Sequence, residues 1–441
     1  MNCKAVRAAL ISAILIILVF TGLTTYPGSY ADNVLGNEDE YREYEDYLSD
    51  IYFNPPDIAA PSAILIESKR GQILYQKNAD RKLHVSVANK IMTAILCIEK
   101  IPDLKAKVTI SKESAEVEGS ALNLEIGEKY AAENLLYAIT LTSANDAARA
   151  LAEYVAGDIE KFEFLMNEKA NKLKLKDTCF TNVTGLYDEN QFTTANDISL
   201  LVKYAISNPV FNRIFSSRAK PWTDSDGQTK ILANQNELFW SYDGVDGGKI
   251  GYNEKDKQSV VTTATRGSRR LICVVLDAPA KAVYEDSVKL LDFGFTSFRT
   301  GILVAKGQPQ KTVQIQGQEI NLVSLSDVYY TYPIGRNYIK SVDFDIAKDA
   351  SLPIGKNKIM GTAIYTLEDN TVITVDLYSD TEIKAPENFY SVAKKKIMEN
   401  KDVFFLLGLL LAIEAVLILY NLIKLVVRLI LNVFPGKTHK N

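Results

Sequence analysis

The chain has 441 residues, 47% hydrophobic and 24% charged, with a formal net charge of −4. Its length suggests two or three domains with a sizeable core, and the mild acidity leaves no basic footprint for nucleic acid. With two histidines (His84 and His439) and four unpatterned cysteines, a histidine-rich metal site is excluded, a Ser-His-Asp triad is improbable, and Cys97, Cys179 and Cys273 read as free thiols rather than a disulfide framework.

Residues 1–31 have the pattern of an export signal. Lys4 and Arg7 precede the apolar run Ala8 to Leu23, and Ser29-Tyr30-Ala31 is a small-residue cleavage site. An uncleaved anchor is the alternative, and either one puts the following domain outside the cytoplasm. Residues 32–57 are acidic and tyrosine-rich, an expected solvated linker. From Ala60 the pattern is globular. Ala63 to Glu67 and Gln72 to Tyr75 form an expected hairpin around Lys69-Arg70-Gly71. An apolar helix follows, carrying Lys90 one turn from its start among Ile91, Met92, Ala94, Ile95 and Ile98.

Val108 to Ile110 reads as a short strand. Residues 111–175 are mostly helical by spacing, and Thr194 to Asp197 open a further helix. Gln258 to Ala264 and Arg270 to Leu276 read as adjacent strands around Gly267-Ser268, and Ala282 to Phe293 as a helix closing a domain that spans 58–299. Short β-like runs over 300–386 predict a small all-β domain. Residues 387–402 form a polar linker. Val403 to Tyr420 would span about 27 Å as a helix, enough to cross a bilayer, within an anchor region 403–434 whose later part, 421–434, is amphipathic. Lys437 and Lys440 place the 435–441 tail in the cytoplasm. Glu414 shares a helical face with Asn421, Lys424, Arg428 and Asn432. An intramembrane carboxylate is a candidate contact for a helix partner, or else a protonated or hydrated glutamate.

A lone lysine on an apolar helix is ordinarily a core residue whose ammonium reaches water. Here three strings in order change the reading: Ser62 to Leu96 (SAILIESKRGQILYQKNADRKLHVSVANKIMTAIL), Ser143-Ala144-Asn145 within LTSANDAARALAEY, and Lys249-Ile250-Gly251 within GVDGGKIGYNEKDKQ. Together they resemble the serine-type D-Ala-D-Ala carboxypeptidases, the low-molecular-weight penicillin-binding proteins. The resemblance is dense over 58–295 and loose over 300–386. It implies an α+β architecture: a β-lactamase/transpeptidase-like α/β/α domain, then a small all-β domain and a C-terminal transmembrane helix.

The resemblance also implies roles. Lys90 is the base of an S-x-x-K tetrad, Ser143 and Asn145 flank it and meet the substrate amide, and Lys249 and Gly251 line the cleft edge. Backbone N–H groups at position 87 and near Tyr252 form the oxyanion hole. No cofactor or metal is implied. Two motifs depart from the pattern. The tetrad reads Val87-Ala88-Asn89-Lys90, so the nucleophile position is hydrocarbon. Ile250 replaces the motif threonine, whose hydroxyl would help hold the substrate carboxylate. Ser86, one residue earlier, is a substitute that helical spacing places about 100° round from position 87, and Ser143 is a further one.

The expected protein is therefore a membrane-anchored carboxypeptidase homologue at a bacterial cell surface or in a periplasm. It would meet peptidoglycan stem peptides or other cell-wall enzymes and be catalytically impaired. The alternative is an active serine carboxypeptidase working through Ser86. A β-lactamase is disfavoured, because no glutamate stands in a deacylating context. A structural membrane subunit acting through the Glu414 face is the remaining reading.

Overall fold

The computed structural model describes residues 53–252, 257–315, 317–347, 353–355, 358–382, 389–399 and 401–433. The expected signal 1–31, most of the acidic linker 32–57 and the tail 435–441 lie outside them. Contacts divide the chain into two compact units. The first runs up to Ala305 and adds Asp327–Asp343 and Ile364–Thr374; the second holds Lys306–Ser326, Phe344–Ala363 and the chain from Val375.

In the first unit, β1 (Ser62–Glu67) and β2 (Ile73–Lys77) form the expected hairpin, with a bulge at Leu65/Ile66. Helix α1 (Val87–Lys100) follows, then β3 (Lys107–Thr109), α2 (Lys112–Ala115), β4 (Lys129–Ala131), α3 (Ala132–Thr142), α4 (Asn145–Ala156) and α5 (Ile159–Lys172). Helix α6 (Ala195–Ser207) starts where the Ser/Thr/Asn pattern predicts, with Thr194 Oγ1 accepting from Asp197 N at 3.0 Å. Next come α7 (Pro209–Phe215), β5 (Ala219–Thr223), β6 (Thr229–Ala233), α8 (Leu238–Ser241), β7 (Val245–Tyr252), β8 (Lys257–Arg266), β9 (Arg269–Pro279) and α9 (Ala280–Thr296).

The main sheet has the antiparallel order β2-β1-β9-β8-β7. Strand alternation divides its side chains between two cores. Ile64, Ile66, Val261, Ile272 and Val274 join the helical cluster containing α1 and α3. Ala63, Leu65, Val260, Leu271 and Cys273 join the cluster that includes Val283, Leu290 and Leu291 of α9. The sheet is thus covered on both faces, an α/β/α arrangement.

Downstream, β10 (Phe298–Val304), β11 (Pro309–Ile315), β12 (Gln318–Val323), β13 (Val328–Pro333), β14 (Ile339–Ile346), β15 (Ile359–Leu367) and β16 (Val372–Ser379) complete the strands. They make a two-stranded ribbon β10-β13 and a five-stranded sheet β11-β12-β16-β15-β14. The fold is an α/β domain, a β-rich C-terminal domain and an apolar C-terminal helix. Helix α10 (Phe389–Glu399) lies inside the expected linker, so that polar stretch is helical over most of its length. Helix α11 (Lys401–Val433) runs without a break through the anchor region, and its segment Phe404–Leu429 is long and apolar enough to cross a membrane. Glu414 lies within that segment.

Candidate active site

Helix α1 carries the tetrad. Ser86 is its N-cap residue, at φ −82° and ψ −15°, yet its hydroxyl makes no capping bond to the helix. It donates instead to the Tyr252 carbonyl on β7 at 3.2 Å. An N-cap serine ordinarily satisfies a free N–H of the first turn, so this hydroxyl is turned out of the helix toward the cleft edge. Two glycines leave room for it. A Cβ on Gly251 would lie 2.5 Å from Ser86 Oγ and 2.9 Å from Val87 N, and one on Gly185 would lie 2.7 Å from Ser86 Cα. Gly185 also has φ +79°, where a side chain is strained.

Residues 87–97 of α1 are buried throughout. Val87 is 0% exposed and belongs to the helical core. The polar side chains of α1 stitch down the 182–184 loop. Asn89 Nδ2 donates to Asn182 O and to Gln191 Oε1, each at 2.6 Å. Thr93 Oγ1 donates to Val183 O at 3.1 Å. Lys90 Nζ donates to Thr184 O at 2.5 Å. Lys90 is buried in the cavity wall, and burial lowers its pKa to about 7.

The S-x-N motif forms the corner between α3 and α4. Ser143 caps α3 in the left-handed region at φ +60°, a conformation uncommon for serine that the surrounding fold must hold. Asn145 N donates to Ser120 O at 2.7 Å and Asn145 Nδ2 to Glu118 O at 2.6 Å. Asp146 receives Leu122 N and Leu124 N, so α4 fixes the 118–124 loop. Asn145 Oδ1 is buried without a hydrogen-bond partner among the described residues. That leaves an acceptor for an incoming N–H.

On β7, Lys249 pairs with Val261 and Ile250 with Val260. Alternation sends them to opposite faces. Lys249, 2% exposed, reaches the helical side and donates to Ser143 Oγ at 2.5 Å. Burial, then the charge of Lys90, holds its pKa well below the ordinary lysine value. Ile250, also 2% exposed, packs in the α9-side cluster.

A cavity of about 150 Å³ is lined by Ser86, Lys90, Ser143, Asn145, Thr184 and Gly251, among others. Ser86 therefore faces the same space as Lys90. Its backbone is already helical, and the turn of about 100° between neighbouring positions puts Ser86 in the cavity and Val87 in the helical core. No carboxylate lines this cavity, so a ligand carboxylate would supply the missing countercharge. A second cavity of about 230 Å³ shares Ser86, Gly185, Leu186 and Tyr252 and adds His84, Tyr187 and Gln191. Sequence reasoning missed the Thr184 carbonyl, the Gly119–Ser120 wall and Gln191.

Residues 51–280 match the D-alanyl-D-alanine carboxypeptidase family, and residues 298–385 match the penicillin-binding protein 5 C-terminal domain. The chain is 32% identical over 317 residues to the D-alanyl-D-alanine carboxypeptidase DacF of Bacillus subtilis, covering 69% of this chain and 81% of that one. It is 32% identical to DacC of Escherichia coli, covering 72% and 82%. Penicillin-binding protein 5 from Haemophilus influenzae superposes with a TM-score of 0.63 at 26% identity, covering 75% of this chain and 99% of that one. A peptidoglycan synthesis regulatory factor from Streptococcus pneumoniae gives 0.62 at 25% identity, covering 74% and 100%. With these matches spanning both the cleft-bearing domain and the β-rich one, the chain belongs to the D-alanyl-D-alanine carboxypeptidase family of low-molecular-weight penicillin-binding proteins.

Proposed function

We propose that this protein is a membrane-anchored, extracytoplasmic member of the family that binds D-Ala-D-Ala-ended stem peptides of peptidoglycan but cleaves them poorly. One observation carries the reading: Val87, three residues before Lys90, is a fully buried hydrocarbon side chain. In an intact tetrad a hydroxyl at that position gives up its proton to the lysine and attacks the penultimate D-Ala carbonyl. Loss of such a nucleophile costs about 10⁶-fold in turnover. Ile250 removes a second hydroxyl, leaving the substrate carboxylate short of a donor at about 1–3 kcal/mol.

The binding half of the site is better supported. Lys90, Lys249, Ser143 and the unpartnered Asn145 Oδ1 remain together. In this reading Lys249 and Lys90 hold the terminal carboxylate, Asn145 receives a peptide N–H, and Gly251 and Tyr252 offer backbone along the ligand. Other cell-wall enzymes are the alternative partners. Helix α11 would provide the anchor, and the Glu414 face would offer a polar contact to a neighbouring helix.

A second reading has one observation in its favour. Ser86 shares the Lys90 cavity and reaches the Tyr252 carbonyl, so it is the hydroxyl placed to act as nucleophile in a carboxypeptidase with a displaced serine. The two readings part on turnover. We would titrate the detergent-solubilised full chain with N-acyl-D-Ala-D-Ala by calorimetry and follow D-alanine release. Binding without release supports the impaired member. Sustained release abolished by Ser86→Ala supports the second reading. Absence of binding would refute both.

A further inference from the structure

The turn Lys69-Arg70-Gly71, which plays no part in the cleft, borders a separate cavity in the first unit. Its volume is about 470 Å³, and Glu67, Lys69, Arg70, Arg269, Tyr329 and Tyr330 line it with neighbouring hydroxyl residues. It shares no lining residue with the lysine cavity. Its size is ordinary for a ligand site.

The charge balance is one-sided. Glu67 is the single carboxylate in the wall, it is buried, and its two oxygens receive the backbone N–H groups of Lys69 and Arg70 at 2.8 Å each. It is therefore committed to the turn. Arg269 donates to the Phe298 and Phe295 carbonyls at 2.8 Å, which orients its guanidinium, and the Glu67 charge acts on it without an ion-pair contact. Among the described residues, none of Lys69, Arg70 and Arg269 forms a salt bridge. Three cationic residues thus line the wall against one carboxylate, an excess of positive charge that attracts an anion.

The remaining wall is tyrosine and hydroxyl. Tyr329 is 45% exposed, and Tyr330 stacks on Tyr332 with centroids 5.0 Å apart. Gln72 Nε2 holds the far wall by donating to Thr331 O at 2.6 Å. Aromatic faces suit the C–H faces of a sugar or polyol, hydroxyls suit its oxygens, and the cations suit an oxyanion. We propose that this cavity binds a hydroxyl-rich anionic chain, with phosphate or carboxylate groups carried on a sugar or polyol backbone. Its occupancy would hold the protein against a wall polymer independently of the cleft.

The test uses the full chain in detergent micelles and three probes: a glycerol-phosphate oligomer, a soluble glycan-peptide fragment of peptidoglycan, and neutral dextran. We expect one of the two anionic probes to bind, dextran not to bind, and affinity to fall as salt rises. Lys69→Glu and Tyr329→Ala, both at exposed positions, should each weaken binding by about tenfold. Binding of the phosphate oligomer assigns a polyol phosphate. Binding of the fragment that is lost in Lys69→Glu assigns the carboxylate source. Failure of both anionic probes, equal binding of dextran, or unchanged affinity in both variants overturns the proposal.

Discussion

Ser86 Oγ and the Tyr252 carbonyl meet across the cleft at 3.2 Å, between two glycines that could not carry a Cβ without striking Ser86. The only serine adjacent to the tetrad is therefore tied to the strand edge, while Lys90 is tied to the Thr184 carbonyl. The two groups share a cavity but have separate partners. A general base acts on a hydroxyl within hydrogen-bond reach, and here each group's bond goes to a backbone oxygen.

Gly251 is the first position to test. An Ala Cβ there would stand 2.5 Å from Ser86 Oγ and 2.9 Å from Val87 N. Gly251→Ala should cost about 1–3 kcal/mol in chemical denaturation through overpacking and should weaken binding of an acyl-D-Ala-D-Ala ligand. Unchanged stability and unchanged affinity would mean that the α1 start and β7 are not held at this separation.

Lys90 makes stability depend on pH. Its folded pKa is lowered to about 7 by burial, below the unfolded value of about 10.4. Between these values the unfolded chain holds a proton that the folded chain does not, so stability rises with pH across about 7 to 10. The burial penalty is largest below pH 7 and vanishes above the unfolded pKa. Lys90→Met should therefore raise stability at pH 7 by about 2 kcal/mol and flatten this slope. Denaturation midpoints at pH 6, 8 and 9.5 check it, and an equal slope in the variant would contradict the assignment.

Carboxylate binding should take up protons. Lys90 in the cavity wall and Lys249 behind Ser143 both have lowered pKa values, and a ligand carboxylate near them favours their charged forms. Titration of acyl-D-Ala-D-Ala in buffers of different ionisation enthalpy at pH 8 should show net proton uptake. Lys249→Met should reduce the uptake and weaken binding by about tenfold or more. Binding with no linked proton would place the carboxylate elsewhere.

The anchor and the cleft should be separable. Glu414 lies within the segment suited to span a membrane, and the cleft residues all come from the first unit. Glu414→Leu should leave ligand affinity in detergent within about twofold while preserving membrane association. A large loss of affinity would tie the two together.

Much of the site was legible through its three motif strings and their order. Three strings that resemble one family in order made Lys90, Ser143, Asn145 and Lys249 readable, and the structure brings these four residues together. The Thr184 acceptor was not legible, because a backbone carbonyl has no side-chain signature. The β5–β6 hairpin escaped notice because only Trp222 and Leu232 are buried in it, too few for a strand period to show. The hairpins β1–β2 and β8–β9 were readable because β1, β8 and β9 are buried on both faces and give continuous apolar, β-branched runs around a glycine turn.

The most direct test of the central claim is covalent labelling of the purified full chain with a fluorescent penicillin, beside Val87→Ser and Val87→Ser combined with Ile250→Thr. The account predicts no covalent band on the wild-type chain and a clear band on at least one variant, since a serine at position 87 restores the S-x-x-K spacing to Lys90. A band on the wild-type chain, mapped by peptide mass to Ser86 or Ser143, would contradict the account and make this an acylating enzyme with a displaced nucleophile.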